Sequence, residues 1–248
     1  MNIKRIICYI FLALFSLVFL VSAFMLVRHF ADEKKSEQSF EELTVLVPDQ
    51  PETETQTDPT PADVYGAVYE QNNDLVGWIR IDGTTLDYPV MQTKGRTNYY
   101  LRRGFDKKYS YFGVPYAAEN CDVNTSSNVV IYGHNMENGT MFAALRNYTS
   151  KSFYEQNKYI TFDTLEQFGT YEIISVFKTV ASYSNDFAYH QFADGDEQHF
   201  NDYIENCKRL SLYDIQTTAV YGDRLITLST CEYTREHGRL VVVAKKIK

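Results

Sequence analysis

Thr227-Leu228-Ser229-Thr230-Cys231-Glu232-Tyr233-Thr234-Arg235-Glu236-His237-Gly238-Arg239 is the stretch on which the reading of this 248-residue chain turns. It starts inside an apolar run, Arg224-Leu225-Ile226-Thr227-Leu228, whose composition suits a strand. That run ends at a cysteine, and a short polar loop follows. Arg239 then opens a second apolar run, Leu240-Val241-Val242-Val243-Ala244. If the two runs pair, the thiol and the guanidinium share one end of a sheet on neighbouring strands. A thiolate is a good nucleophile, and a nearby cation both favours it and can stabilise an oxyanion. The ordinary role of a cysteine at a strand end is that of a small core hydrophobe.

Further strand candidates are Trp78–Ile81, Leu86–Val90, Tyr111–Tyr116, Val129–Tyr132, Tyr159–Asp163 and Tyr171–Val180, with Asp82-Gly83 as a turn between the first two. Val64 to Asn73 reads as an amphipathic helix, and Met141–Arg146 and Phe153–Asn157 as shorter helical pieces. The clearest helix is Asp196 to Leu210, where Phe200, Tyr203, Ile204 and Cys207 recur at helical spacing. About eight strands with few long helices predict a mainly β domain over 64–248, an antiparallel or mixed barrel. The 20 tyrosines and 16 phenylalanines agree with a β-rich fold. No internal repeat, phosphate-binding loop, dinucleotide fingerprint or Cys-x-x-Cys pattern is present.

Thr-Leu-Ser-Thr-Cys, followed eight residues after the cysteine by Arg239 behind Gly238, resembles the active-site signature of sortases, the cysteine transpeptidases of the Gram-positive surface. Upstream, Asn128-Val129-Val130-Ile131-Tyr132-Gly133-His134-Asn135-Met136 resembles the histidine segment of class B sortases. The resemblance runs through residues 64–248. It implies an eight-stranded barrel with a helix, 196–210, before the cysteine strand, and a catalytic set of His134, Cys231 and Arg239. In that set Cys231 is the nucleophile, His134 the acid and base, and Arg239 the oxyanion or backbone-positioning group. The partners implied are surface proteins or pilins bearing a C-terminal sorting motif, cleaved after threonine, and a peptidoglycan-precursor amine or pilin lysine. No cofactor and no metal are implied, because a thioester is already activated toward amines.

His237 is the rival of His134, and Arg235 of Arg239. Candidate substrate contacts are less direct. Thr93 to Leu101 resembles the class B segment whose leucine faces the sorting peptide, which makes Leu101 a candidate. Arg96 and Thr97 stand where the family often carries an Asp-Asn pair. Ser229, two residues before the thiol, is a candidate for bonding the peptide, and Tyr189 for lining the groove. Two other classes compete with the transpeptidase. A secreted cysteine peptidase of the papain type places its cysteine at a helix N-terminus upstream of the histidine, whereas Cys231 ends a strand 97 residues after His134. A non-catalytic surface β-domain is the third reading.

The N-terminus carries a different signal. Ile6 to Val27 is a run of 22 residues without a charge. As a helix it rises about 33 Å, enough to cross a hydrocarbon core of about 30 Å. Lys4 and Arg5 precede it, which predicts residues 1–5 in the cytoplasm, a signal-anchor over 6–27 and a catalytic domain outside the cell. Val21-Ser22-Ala23-Phe24 is a poor cleavage site for a signal peptide. Residues 28–63 read as an acidic, Pro- and Thr-rich tether, irregular except for a short helix over 39–47.

The formal charge of −8 is unevenly spread. Residues 31–63 carry ten acids and two lysines, and residues 64–248 carry 19 basic and 22 acidic groups. The acidity thus belongs to the tether, and with no basic stripe the chain is not a nucleic-acid binder. Cys8 falls in the apolar segment. Cys121 and Cys207 admit a disulfide or two buried free thiols, and the latter is the expectation.

Overall fold

The computed structural model describes residues 3–47, 59–180 and 187–248. Its centre is a closed eight-stranded barrel in the order β1-β2-β3-β4-β7-β8-β6-β5. The strands are β1 (Leu75–Arg80), β2 (Asp87–Met91), β3 (Tyr116–Ala117), β4 (Asn128–Tyr132), β5 (Tyr159–Thr164), β6 (Thr170–Val180), β7 (Leu225–Cys231) and β8 (Gly238–Lys246). Neighbours β2/β3 and β4/β7 are parallel and the other pairs antiparallel, so the barrel is mixed.

Among the described residues four α-helices accompany the barrel: α1 (Ile3–Leu46), α2 (Pro61–Gln71), α3 (Lys151–Gln156) and α4 (Glu197–Leu210). Helix α4 explains why β8 reads as an unbroken apolar run rather than an alternating one. Leu240, Val242 and Ala244 face the barrel core. Val241 and Val243 face outward and pack with Phe200, Tyr203, Ile204 and Cys207 of α4. A strand covered on both faces needs apolar residues at every position. Asp196 caps α4, its carboxylate accepting from the His199 amide at 3.0 Å.

Several sequence expectations shift. Helix α2 starts three residues before the expected Val64, because Thr60 and Asp63 form a reciprocal capping box and Pro61 occupies the first turn. Of the strand expected over 111–116, only Tyr116 pairs, together with Ala117. Gly113, just upstream, is in the left-handed region (φ 62°), with its would-be Cβ 2.7 Å from the Tyr100 carbonyl oxygen, so the chain turns there instead of extending. The helix expected over 141–146 is a 3₁₀ segment, Phe142–Thr149. Cys121 and Cys207 are buried and unbonded.

The largest correction concerns the tether. Residues 28–46, expected to be mostly irregular, continue α1 without a break. They contain no glycine or proline and carry four Glu, two Lys and two Leu, good helix formers. Leu46 ends the helix two residues before Pro48, since a proline disfavours helix in the residue before it. Phe40 and Leu43 of this extension are buried against the domain, Phe40 edge-on to Tyr88 with ring centroids 5.2 Å apart. The rest of the tether, 48–58, lies outside the described residues. The first half of α1 is long and apolar enough to cross a membrane and is not buried by any of the described residues.

Candidate active site

The barrel topology brings three separate stretches of sequence to one rim. Strands β4 and β7 are parallel, with Tyr132 opposite Ser229, so the residues after each emerge at the same end. His134 is two residues beyond Tyr132, and Cys231 two beyond Ser229. Strand β8 runs back from that rim, and its register sets Arg239 directly across from Cys231. The loop between them is tight. Glu232 donates its amide to the Gly238 carbonyl at 2.9 Å, and His237 is left-handed (φ 55°). A Cβ on Gly238 would lie 2.3 Å from the Glu232 carbonyl oxygen, which accounts for glycine ahead of Arg239. An ion pair of Lys178 with Glu232 at 3.0 Å holds the start of the loop. Burial raises the Glu232 carboxyl, but its bonds to Thr234 and Lys178 outweigh that and leave its pKa lowered.

Each arm of the rim is tied to the next. Thr230 donates its hydroxyl to the Gly133 carbonyl at 2.8 Å, and the Gly133 amide donates to the Ser229 carbonyl at 3.2 Å. A Cβ on Gly133 would lie 2.4 Å from the Phe142 ring, so only glycine fits before His134. Asn135 donates its side-chain amide to the Cys231 carbonyl at 2.8 Å, and Tyr233 donates its hydroxyl to the Asn135 carbonyl at 3.0 Å. Asn135 Oδ1 is buried and has no hydrogen-bond partner among the described residues. Asn135, Thr230 and Tyr233 all adjoin residues that the sequence reading singled out, yet no local pattern marks them as ties between strands.

His134 Nε2 lies 2.7 Å from the Leu101 carbonyl oxygen. A carbonyl only accepts, so the imidazole donates from Nε2 and Nδ1 is the nitrogen without a proton. Burial lowers the His134 pKa below its usual 6.5. The bond to Leu101 opposes this, and the charge of Arg102 adds to it. Leu101 therefore reaches the site through its backbone, on a short 3₁₀ segment (Tyr99–Arg102), with its side chain partly exposed.

The other two expected substrate contacts are buried beside the site. Ser229 and Tyr189 are 1% and 2% exposed, and their hydroxyls bond each other at 2.7 Å. They lie under the site with their hydroxyls paired. The rivals lie in the exposed loop between β7 and β8, where the His237 side chain is 73% accessible. Arg235 is exposed in the same loop. The charge of Arg239 bears on Tyr116, Tyr132 and Tyr189, whose phenols burial pushes above their usual value and Arg239 draws back.

Two clefts open at this rim. One, of about 670 Å³, is lined by His134, Asn135, Cys231 and Tyr233, by Arg102 and Tyr111, and by His29 and Glu33 of α1. The other, of about 290 Å³, is lined by Arg96, Thr97, Tyr116, Tyr132 and His190, with Thr97 bonded to Glu119. A half-buried thiol and an imidazole of lowered pKa line one cleft, and Arg239, which donates to the Gly238 carbonyl at 2.8 Å, stands on the strand across from the thiol; these are the components of nucleophilic acyl transfer.

Comparison with known proteins agrees with this geometry. Residues 79–247 match the sortase domain model. Sortase B of Staphylococcus aureus is 36% identical over 183 residues, covering 71% of this chain and 72% of the relative. Sortase B of Listeria monocytogenes is 32% identical over 179 residues, covering 71% of each. Among solved structures, a Staphylococcus aureus sortase B–substrate complex superposes with a TM-score of 0.75 at 28% identity, covering 88% of this chain and 99% of that one. Fold, rim and relatives together assign the chain to the sortase family, among its class B members.

Proposed function

We propose that this cysteine transpeptidase is anchored in the cell membrane by residues 6–27 and joins sorting-motif proteins to a peptidoglycan-precursor amine. The observation that carries the reading is the register of Cys231 against Arg239 on the rim where His134 emerges. Cys231 attacks the threonine carbonyl of the motif. Arg239 faces the oxyanion or holds the peptide backbone. The C–N bond breaks, and the leaving amine takes a proton from His134. A thioester on Cys231 remains. The acceptor amine then attacks it, His134 takes the amine's proton, the C–S bond breaks and the thiol is restored.

His134 sets the energetics. With ordinary values of about 8.5 for a thiol and 6.5 for imidazole, moving the proton from Cys231 to His134 is uphill by about 2.7 kcal/mol. The lowered pKa of His134 deepens that deficit. The reactive thiolate–imidazolium pair is thus a minor population. Leu101, through its carbonyl, keeps Nε2 as the donor and leaves Nδ1 to exchange the proton. Lys4 and Arg5 before the apolar span support a cytoplasmic N-terminus and an extracellular domain.

The test uses the full chain with a panel of sorting-motif peptides, with and without an added amine, beside Cys231→Ala. The expected result is amine-joined product and a thioester on Cys231, both absent from the variant. Hydrolysis that ignores the amine would favour the cysteine-peptidase reading. Absence of any acyl-enzyme, with Cys231 inert to thiol reagents, would sink the proposal.

A further inference from the structure

Helix α1 does two things that a plain membrane anchor does not require. It runs unbroken through Val27, where the apolar span ends, to Leu46. It also supplies His29 and Glu33 to the cleft that holds His134 and Cys231.

The docking is specific in register. His29 lies against Tyr111, with ring centroids 5.2 Å apart. Asp32 accepts the Tyr111 amide at 2.6 Å, and Glu33 accepts the Asn138 side-chain amide at 2.7 Å. Phe40 and Leu43 are buried further along. Spacings of three (29 to 32, 40 to 43), four (29 to 33) and seven residues (33 to 40) put these positions on one face of the helix, which meets the domain. The Lys35–Asp106 pair at 2.9 Å is exposed and adds little. Apolar burial and the carboxylate on a backbone amide hold the contact.

Geometry then fixes a height. Along the helix axis His29 is about 3 Å and Glu33 about 9 Å beyond the end of the span. A flexible tether of the length expected from the sequence would let the domain wander by about 30 Å.

We propose that residues 28–46 form a rigid stalk that walls the active-site cleft on one side and holds its mouth within about 10 Å of the bilayer face. The stalk thereby selects a donor polypeptide held in the same membrane with its scissile bond close to the headgroups. This rests on the transpeptidase reading above, and the experiment separates the two.

Full-length protein is placed in lipid vesicles, beside a variant with a flexible Gly-Ser segment inserted between Val27 and Arg28. The insertion leaves every stalk–domain contact intact. Donors carry the best motif from the peptide panel, either free in solution or tethered to lipid by a short or a long flexible spacer. The native protein is expected to favour the short tether over the long one by about tenfold, as local concentration and geometry require. The insertion variant is expected to lose that preference while cleaving the free peptide at the native rate. An unchanged preference in the variant overturns the proposal.

Tyr111→Trp supplies a readout independent of activity. Quenching of its fluorescence by brominated lipid is expected in the native background and is lost on insertion. No quenching in either background overturns the placement of the cleft. Quenching as expected, with no thioester from any peptide, would refute the transpeptidase reading and leave the stalk geometry standing.

Discussion

Cys231 and Cys207 are the same side chain in opposite settings. Cys207 lies on the face of α4 that covers the sheet, with no exposure, and burial pushes its thiol far above the usual value. Cys231 is the last residue of β7, half-buried and open to a cleft. Alternation along β7 places Leu225, Thr227, Ser229 and Cys231 in one row. The cover over that row thins toward the rim. Leu225 packs in the α4 cluster, and Thr227 bonds Tyr203 of α4 at 2.7 Å. Ser229 bonds Tyr189, and Cys231 meets solvent. Reactivity here is a matter of distance from the sheet's covered face, and the polar hydroxyl pairs mark the gradient between the two thiols.

The sharpest break of this comparison is in activity. Cys231→Ala is expected to abolish the acyl-enzyme in intact mass spectra and to lower turnover by more than about 10³-fold. Cys207→Ala is expected to keep turnover and lose about 1 kcal/mol of stability in denaturant titration. Comparable activity losses in both would mean that α4 takes part in the chemistry.

The next effect comes from Asn135, which ties the Cys231 carbonyl to the histidine arm. Asn135→Ala removes a buried hydrogen bond worth about 1–1.5 kcal/mol. Lost wholly from positioning, it would appear as roughly a tenfold fall in kcat with little change in KM. A rise in KM alone would make Asn135 a binding residue instead.

Smaller still is the hydroxyl pair beneath the site. Ser229→Ala and Tyr189→Phe are each expected to cost about 1 kcal/mol of stability, and the double variant less than the sum, because either change breaks the same bond. Strict additivity would show that the two hydroxyls bond elsewhere. A large KM effect from Ser229→Ala would restore it as a substrate contact.

The smallest effect is in pH. His134 has a folded pKa below 6.5, from burial first and the Arg102 charge last; His190 is lowered too, by burial and Arg239. Below about pH 6.5 the unfolded chain takes up protons that the folded one refuses, so stability present above that pH falls on acidification. Each group contributes a slope of at most about 1.4 kcal/mol per pH unit. His134→Gln should remove its share from urea titrations run across pH 5–7, and an unchanged slope would assign the protons elsewhere.

These outcomes also bear on how much the linear chain discloses. Cys231 and Arg239 are joined by a short loop, so apolar runs on either side were enough to place thiol and guanidinium at one sheet end. The helix over 196–210 was legible for a similar reason, since its buried row repeats within a few residues. Residues 28–46 misled because charge suggests solvated chain, whereas Phe40 and Leu43 are buried, Phe40 against Tyr88 of β2, 48 positions away. Ser229 was legible as a residue near the thiol but not in its role, because its partner is 40 positions away.

The sequence by itself therefore determined most of the elements and their order, and it put the cysteine and the arginine on neighbouring runs joined by a short loop, all products of short-range pattern and turn geometry. Only the tertiary structure decided which backbone carbonyl meets His134, which hydroxyls satisfy each other, and that the stalk walls the cleft. Those contacts arise when the barrel closes and brings distant segments to one rim, and no local preference of the chain encodes them.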